Sequence, residues 1–262
     1  SPYQMRGGRD DWSELEGANS WVHLSGAGIA DKPWSSRRRR LLIDSRVQTT
    51  KAVGEVIAVL RQKPKKIAVA SAVGFYGDGG LEVLTEQSGL GDNFVASVCE
   101  QWEQATLLLA QANPQSHVVR LRFGIVLSPD GGALRKMLLP FKAFLGGRLG
   151  SGKQWMSWIV LEDAVQAVLF LLRSNYEGAF NIVAPNPVTN EEYTQTLASS
   201  LNRKAFLPVP AFALRAVFGK MADELLLASA RVVPERLLEV GFTFSAPTLQ
   251  EALALLFPPK KK

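Results

Sequence analysis

The run VASAVGFYGD, residues 69–78, sets a serine hydroxyl and a phenol close together where an apolar stretch gives way to glycines. Ser71 and Tyr76, carried at the end of a strand, can hydrogen-bond a carbonyl or alcohol and relay its proton. Gly74 and Gly77 leave the backbone free to turn tightly between them. The same residues also suit a structural role, with Ser71 capping the loop and Tyr76 packing, and residue type leaves both readings open. A second loop, GSGKQWMSW at 150–158, lacks the full phosphate-loop pattern, so a nucleoside-triphosphate site is rejected and Lys153, Gln154 and Trp155 are read as substrate-facing. GGALRKMLLPF at 131–141 opens an amphipathic helix with two glycines, as a plain turn or an anion site. His23 and His117 lie in apolar runs with no Cys, Asp or Glu at ligand spacing, and no metal is expected.

These residues need a scaffold, and the apolar pattern supplies one. WVHLSGAG at 21–28 reads as a buried strand opening into a small-residue loop, KIAVASAV at 66–73 as a second strand and HVVRLRFGIVL at 117–127 as a third. Helical spacing recurs over 44–61, stopped by Lys63-Pro64-Lys65-Lys66, and again on the stripe Val95, Val98, Cys99, Trp102, Ala105 and Leu109. A strand at 158–161, a helix at 163–172 and a strand at 179–184 follow, and Thr189 to Glu192 fits a capping box. Alternation of strand and helix predicts an α/β fold, a doubly wound parallel sheet whose ligands sit at the carboxyl ends of its strands. After Pro208, short helical pieces broken by Pro210, Gly219, Pro234 and Gly241 predict a small, mostly helical lobe. The expected division is 1–185 for the dinucleotide-fold domain and 186–262 for a substrate or lid lobe.

Composition narrows the function classes. The 262 residues are 47% hydrophobic, enough for a sizeable core, and the single cysteine, Cys99, rules out an internal disulfide and suits a reducing compartment, cytoplasm or organelle stroma. No apolar run approaches the roughly 20 residues of a membrane span. The net charge of +6 comes largely from Arg37–Arg40 and Lys260–Lys262, which read as a solvated helix turn and a tail, so nucleic acid is an unlikely partner. A small-molecule substrate is expected, with a homo-oligomer possible.

The segments SAVGFYGD, RFGIVLSPDGGAL, WMSWIVLEDAV and FNIVAPNPVTNEEY stand in the order and spacing of extended short-chain dehydrogenase/reductases, and the chain resembles that superfamily. GAGIADKPW, GSGKQWMSW and the long run at 207–242 resemble, more narrowly, its NAD(P)-dependent epimerases of the cell-division-inhibitor-like type. The resemblance implies a Rossmann-like sheet that binds NADP, favoured, or NAD. It implies that Ser25, Gly26 and Ala27 lie beside adenosine and phosphates, and that Ser71 is the catalytic serine and, with Ala72, also borders the cofactor. It further implies that Phe75 and Tyr76 follow that serine as aromatic neighbours, with Phe75 facing the substrate, and that Arg122 and Gly124 belong to the strand and turn beside the nicotinamide.

Two departures accompany the resemblance. The superfamily sets a Tyr four residues before a Lys on one helix face, so that the ammonium lowers the phenol pKa and holds the nicotinamide ribose. With Glu103 aligned to the glutamate that follows the pair, Val95 and Cys99 take those places, and neither can do that work; Tyr76 with Ser71 is the nearest stand-in. The first strand-helix unit of the Rossmann-like sheet, with its glycine-rich turn, is also expected to be missing, since Arg6-Gly7-Gly8-Arg9 follows no strand, so that 1–185 is an incomplete NAD(P)-binding domain. The expected function is an NAD(P)-dependent epimerase or oxidoreductase acting on a small polar or sugar-like substrate. The alternative is a non-catalytic dinucleotide-binding or regulatory protein linked to cell or plastid division.

Overall fold

The structure is a computed structural model, describing residues 12–258; the Arg6–Arg9 segment and the Lys260–Lys262 tail lie outside them. Strand β1 (Ser20–His23) leads through an exposed loop to helix α1 (Ser36–Val59). This helix begins earlier than its apolar spacing predicts, because the Ser35 hydroxyl caps it by accepting from Arg38 N–H at 3.2 Å. Arg37–Arg40 therefore form its first turns, and Arg39 lies over the Phe94 ring at 5.1 Å instead of standing fully in solvent.

Strand β2 (Lys66–Ala72) runs into a short 3-10 turn at Val73–Tyr76 and a two-residue strand β3 (Val83–Leu84). Helices α2 (Phe94–Ala105) and α3 (Leu107–Ala112) follow, then β4 (His117–Phe123) and β5 (Ile125–Leu127). Sequence pattern makes 117–127 one strand, and Gly124 is why it is two. Gly124 N–H still donates to Ile182 O, whereas Ile125 N–H donates to Ser157 O at 2.9 Å, so the chain changes partners there. Helix α4 (Gly132–Lys142), β6 (Trp155–Met156), β7 (Trp158–Val160), α5 (Leu161–Leu172) and β8 (Gly178–Ile182) complete the α/β part.

Four strands form a parallel sheet in the order β1-β2-β4-β8, while β5 pairs with β7 in a smaller parallel ladder. One face of the sheet packs Ile67 and Val69 against Ile57, Trp102 and Leu109 of α1, α2 and α3. The other packs Ala68, Val119, Leu121, Phe180 and Ile182 against Ala164, Ala167 and Leu171 of α5. Helices on both faces explain why the strands are nearly continuous runs of apolar residues.

The remaining chain comprises β9 (Val188–Thr189), α6 (Asn190–Ser200), α7 (Ala211–Phe218), a π-helical turn at Ala222–Leu227, β10 (Arg231–Val232), α8 (Glu235–Glu239) and α9 (Leu249–Leu256). The capping box at Thr189 and Glu192 forms as expected, and Thr248 with Glu251 builds a second one on α9. The carboxylate of Asp163, 2% exposed, ties this region to α5 by accepting from Ser245 N–H, Ser245 Oγ–H and Ala246 N–H at 2.9, 2.7 and 3.1 Å. Among the described residues no helix is long and apolar enough to cross a membrane, and no group of three metal-ligating side chains occurs.

Candidate active site

Parallel pairing aligns Ser71, Arg122 and Asn181 in one row across β2, β4 and β8. In-register neighbours on parallel strands share a face, so this polar row points at α2. There Glu103, on the otherwise apolar stripe of that helix, meets it. Ser71 Oγ–H donates to Glu103 Oε1 at 2.7 Å, and Arg122 donates to Oε1 from Nε at 2.8 Å and to Oε2 from Nη2 at 2.9 Å. Arg122 Nη1 also donates to the Tyr76 hydroxyl at 2.9 Å, and Tyr76 donates to Asn181 Oδ1 at 2.7 Å. The Phe75 ring covers the Arg122 guanidinium at 3.5 Å.

The hydroxyls of Ser71 and Tyr76 are thus brought into one buried network, joined through Glu103 and Arg122. Burial pushes the Tyr76 phenol pKa up, against the opposing pull of Arg122. Burial alone would lower the Arg122 pKa, but its bonds to Glu103 and Tyr76 outweigh that and raise it. Such a network fixes the strand ends and the 73–76 turn rigidly.

A cavity of about 260 Å³ opens off the carboxyl ends of β2 and β4, lined there by Ala72, Val73 and Gly74 and by Phe123, Gly124 and Ile125. Val95, Cys99 and Trp102 of α2 form one wall, and Trp155, Met156, Ser157 and the 224–230 segment close the opposite side. Gly74 is required by the close approach of α2, since a Cβ there would lie 2.4 Å from Val95 Cγ1. At the two positions that the resemblance sets against a tyrosine and a lysine, the wall carries a tightly packed valine and a thiol. Burial, reinforced by the charge of Glu103, pushes the Cys99 pKa up to about 12, so it is a protonated thiol at neutral pH.

Charge reaches the cavity from elsewhere. Arg46 of α1 lines it, with its guanidinium 5.0 Å over the Trp102 ring and Nη1 donating to Leu42 O at 2.9 Å. No carboxylate lies within ion-pairing distance of Arg46 among the described residues. Burial lowers its pKa, yet a guanidinium remains a cation at neutral pH. Gly26 leaves room for it, because a Cβ there would sit 3.1 Å from Arg46 Cζ. The Trp102 indole N–H, buried at the same wall, has no hydrogen-bond partner. Glu224 is the one carboxylate in the lining among the described residues, and its Oε2 accepts from Val95 N–H at 3.0 Å.

Of the residues singled out in the sequence, Ala72, Gly124 and Trp155 line the cavity. Ser25, Gly26 and Ala27 form the loop after β1 beside Arg46, with Ala27 N–H donating to Ser45 Oγ at 3.0 Å. Ser71, Phe75, Tyr76 and Arg122 stand behind the lining rather than in it. Lys153 is exposed and outside it, and the Gln154 amide is spent on Leu149 O and Leu226 O at 3.1 and 3.0 Å. Arg46, Trp102 and Glu224 are missed by sequence reasoning. Glu103 carries a legible signal, an acid on an apolar helix stripe, whereas nothing local marks Arg46 or Glu224 as neighbours of one cavity.

The model of the NAD dependent epimerase/dehydratase family matches residues 10–183, and a domain of unknown function (DUF1731) matches 209–256. An epimerase family protein of Mycobacterium bovis, Mb2239, is 40% identical over 247 residues, covering 94% of this chain and 81% of its own. The epimerase family protein SDR39U1 of Homo sapiens is 35% identical over 255 residues, covering 94% and 86%. A crystal structure of human SDR39U1 (isoform 2) with NADPH superimposes with a TM-score of 0.87 at 33% identity, covering 94% of this chain and 85% of that one.

Proposed function

We propose, for a chain that belongs to the NAD dependent epimerase/dehydratase family, that it binds NADP(H) across the strand ends and acts as an oxidoreductase on a small carbonyl or alcohol. The observation that carries this reading is the cavity at the carboxyl ends of β2 and β4, with the guanidinium of Arg46 unpaired at its wall. The residues present fit a dinucleotide: a cation without a carboxylate partner among the described residues, available to a phosphate oxygen, and an unpartnered Trp102 N–H. NADPH is carried by the human relative, which favours NADP over NAD.

A bound nicotinamide dinucleotide supplies hydride transfer, and the protein supplies position and proton control. Arg46 holds an anionic oxygen through charge-assisted bonds. Ser71, Glu103, Arg122, Tyr76 and Asn181 act from behind the wall, holding Ala72 and Gly124 in register. Cys99 keeps its proton and excludes water, which leaves Glu224 as the lining group able to exchange a proton with a substrate oxygen. In this reading the α/β part, 1–185, holds the dinucleotide and residues 186–262 form the lobe that closes over the substrate.

Titration of the purified protein with NADPH, followed by the blue shift and quenching of nicotinamide fluorescence, tests the reading. Saturable binding of NADPH, tighter than that of NADH, supports it. An absence of binding to the folded protein overturns it. Binding with no oxidation of NADPH by any carbonyl compound would favour instead a regulatory binder, a role that the apolar Val95 and Cys99 wall also accommodates.

A further inference from the structure

Beyond Met137, Leu149 and Met156 the cavity continues into a second, larger chamber of about 600 Å³, with which it shares those residues and Ile29, Asn190, Leu225 and Leu226. A chamber of this size falls within the range of roughly 300–1,000 Å³ that small-molecule sites occupy. Its walls come from the loop after β1, from α4, from α6 and from the 218–226 segment, and they are chiefly aliphatic, aromatic and thioether groups such as Pro140, Phe141, Phe218 and Met221.

The polar groups around it are mostly already engaged. Asn190 accepts from Leu149 N–H at 2.8 Å and turns its amide nitrogen to Met156 Sδ at 3.4 Å. Lys136, at the rim, is paired with Asp31 at 3.1 Å, and Arg148 in the neighbouring depression is paired with Glu191 at 3.0 Å. Among the described residues no cation in this chamber is therefore free of a carboxylate partner to hold a diphosphate. The Tyr193 hydroxyl is left without such a bond: the residue is 3% exposed, forms part of the chamber wall, and its oxygen has no hydrogen-bond partner. A buried phenol left in that state gains a bond from any ligand that brings an acceptor to it.

We infer that this chamber is the substrate site of the same reaction and takes a largely apolar, uncharged compound bearing a single carbonyl or ether acceptor, not a nucleotide sugar. The inference rests on the oxidoreductase reading for its link to catalysis, and on the chamber alone for the chemistry of its occupant. The apolar walls reward removal of hydrocarbon or aromatic surface from water. A nucleotide sugar would have to bury two phosphate charges against methionine and phenylalanine without a counter-ion.

Fluorescence titration with prodan, an uncharged naphthyl ketone whose emission moves to the blue out of water, tests it in the wild-type protein and in Ala133→Trp, Ala30→Trp and Tyr193→Phe. Ala133 and Ala30 both border the chamber and neither borders the cavity at the strand ends. The expected result is one saturable site, weakened about tenfold or more by each tryptophan and about three- to tenfold by Tyr193→Phe, as loss of one hydrogen bond implies. UDP-glucose at millimolar concentration should leave bound prodan in place. No saturable binding, displacement by UDP-glucose, or unchanged affinity in both tryptophan variants overturns the assignment, and unchanged affinity in Tyr193→Phe removes the acceptor from it. NADPH titration of the same samples separates the two readings, since wild-type protein that binds prodan but not NADPH retains the chamber and loses the cofactor.

Discussion

Arg122 holds Glu103 by two nitrogens at once, at 2.8 and 2.9 Å, and both side chains are almost fully buried. This is the fork-to-carboxylate geometry in which an ion pair offsets its own desolvation best. Removing Glu103 strands the Arg122 guanidinium, and removing Arg122 leaves the buried Glu103 carboxylate with only Arg120 Nε at 3.5 Å and the Ser71 hydroxyl. Glu103→Ala and Arg122→Ala should each destabilise the fold by about 3–5 kcal/mol in urea denaturation. The double variant Glu103→Leu with Arg122→Met should recover much of that loss, because it leaves neither charge behind.

Cys99 should behave as a packed thiol rather than a nucleophile. In the native protein at pH 8.5 it should react with iodoacetamide far more slowly than the unfolded chain does. Its folded pKa of about 12 lies above the unfolded value of about 8.5. Between those values the unfolded chain releases a proton that the folded one retains, so stability falls as pH rises through that window. Cys99→Ala should flatten this alkaline slope, as read from denaturant midpoints at pH 7 and pH 10.

Gly124 marks the point where the chain leaves β8 and takes up β7. A Cβ there would stand 2.6 Å from Ser157 O and 2.6 Å from Val183 Cγ1, and the first of these is backbone that cannot turn aside. Gly124→Ala should lower stability by about 1–3 kcal/mol through overpacking. It should also weaken NADPH binding, since the same residue lines the cavity.

Asp163 anchors the segment before α9 through three accepted hydrogen bonds. Asp163→Ala leaves those donors without a charged acceptor and should cost about 3 kcal/mol. Limited proteolysis provides a local readout, with cleavage near Pro247 expected to precede cleavage of the sheet.

The fold was legible because its determinants are local and repetitive. Apolar runs at 66–72 and 117–123, the helical stripe of α2 and the capping box at Thr189 each name their element within a dozen residues. The candidate cavity was legible where strand ends declare themselves, at Ala72 and Gly124, and at Trp155 in the 150–158 loop. Residue type leaves Tyr76 open between a proton-relaying phenol and a packed one, and the structure packs it: Asn181, distant in sequence, accepts a hydrogen bond from it and Arg122 donates to it from β4. Register across three strands decides that, and no short motif records it. Arg46 was hidden for the same reason, as its setting depends on Gly26 and Trp102 from two other elements.

In the proposed function a cation from α1, Arg46, serves the cavity where α2 contributes Val95, Val98, Cys99 and Trp102 and no charge. The most direct measurement is the NADPH dissociation constant of Arg46→Met beside that of the wild type, with denaturation curves run to show that both are folded. Loss of a charge-assisted bond to an anionic oxygen predicts about 10- to 100-fold weaker binding for the variant. Equal affinity for NADPH in the two folded proteins would contradict the account.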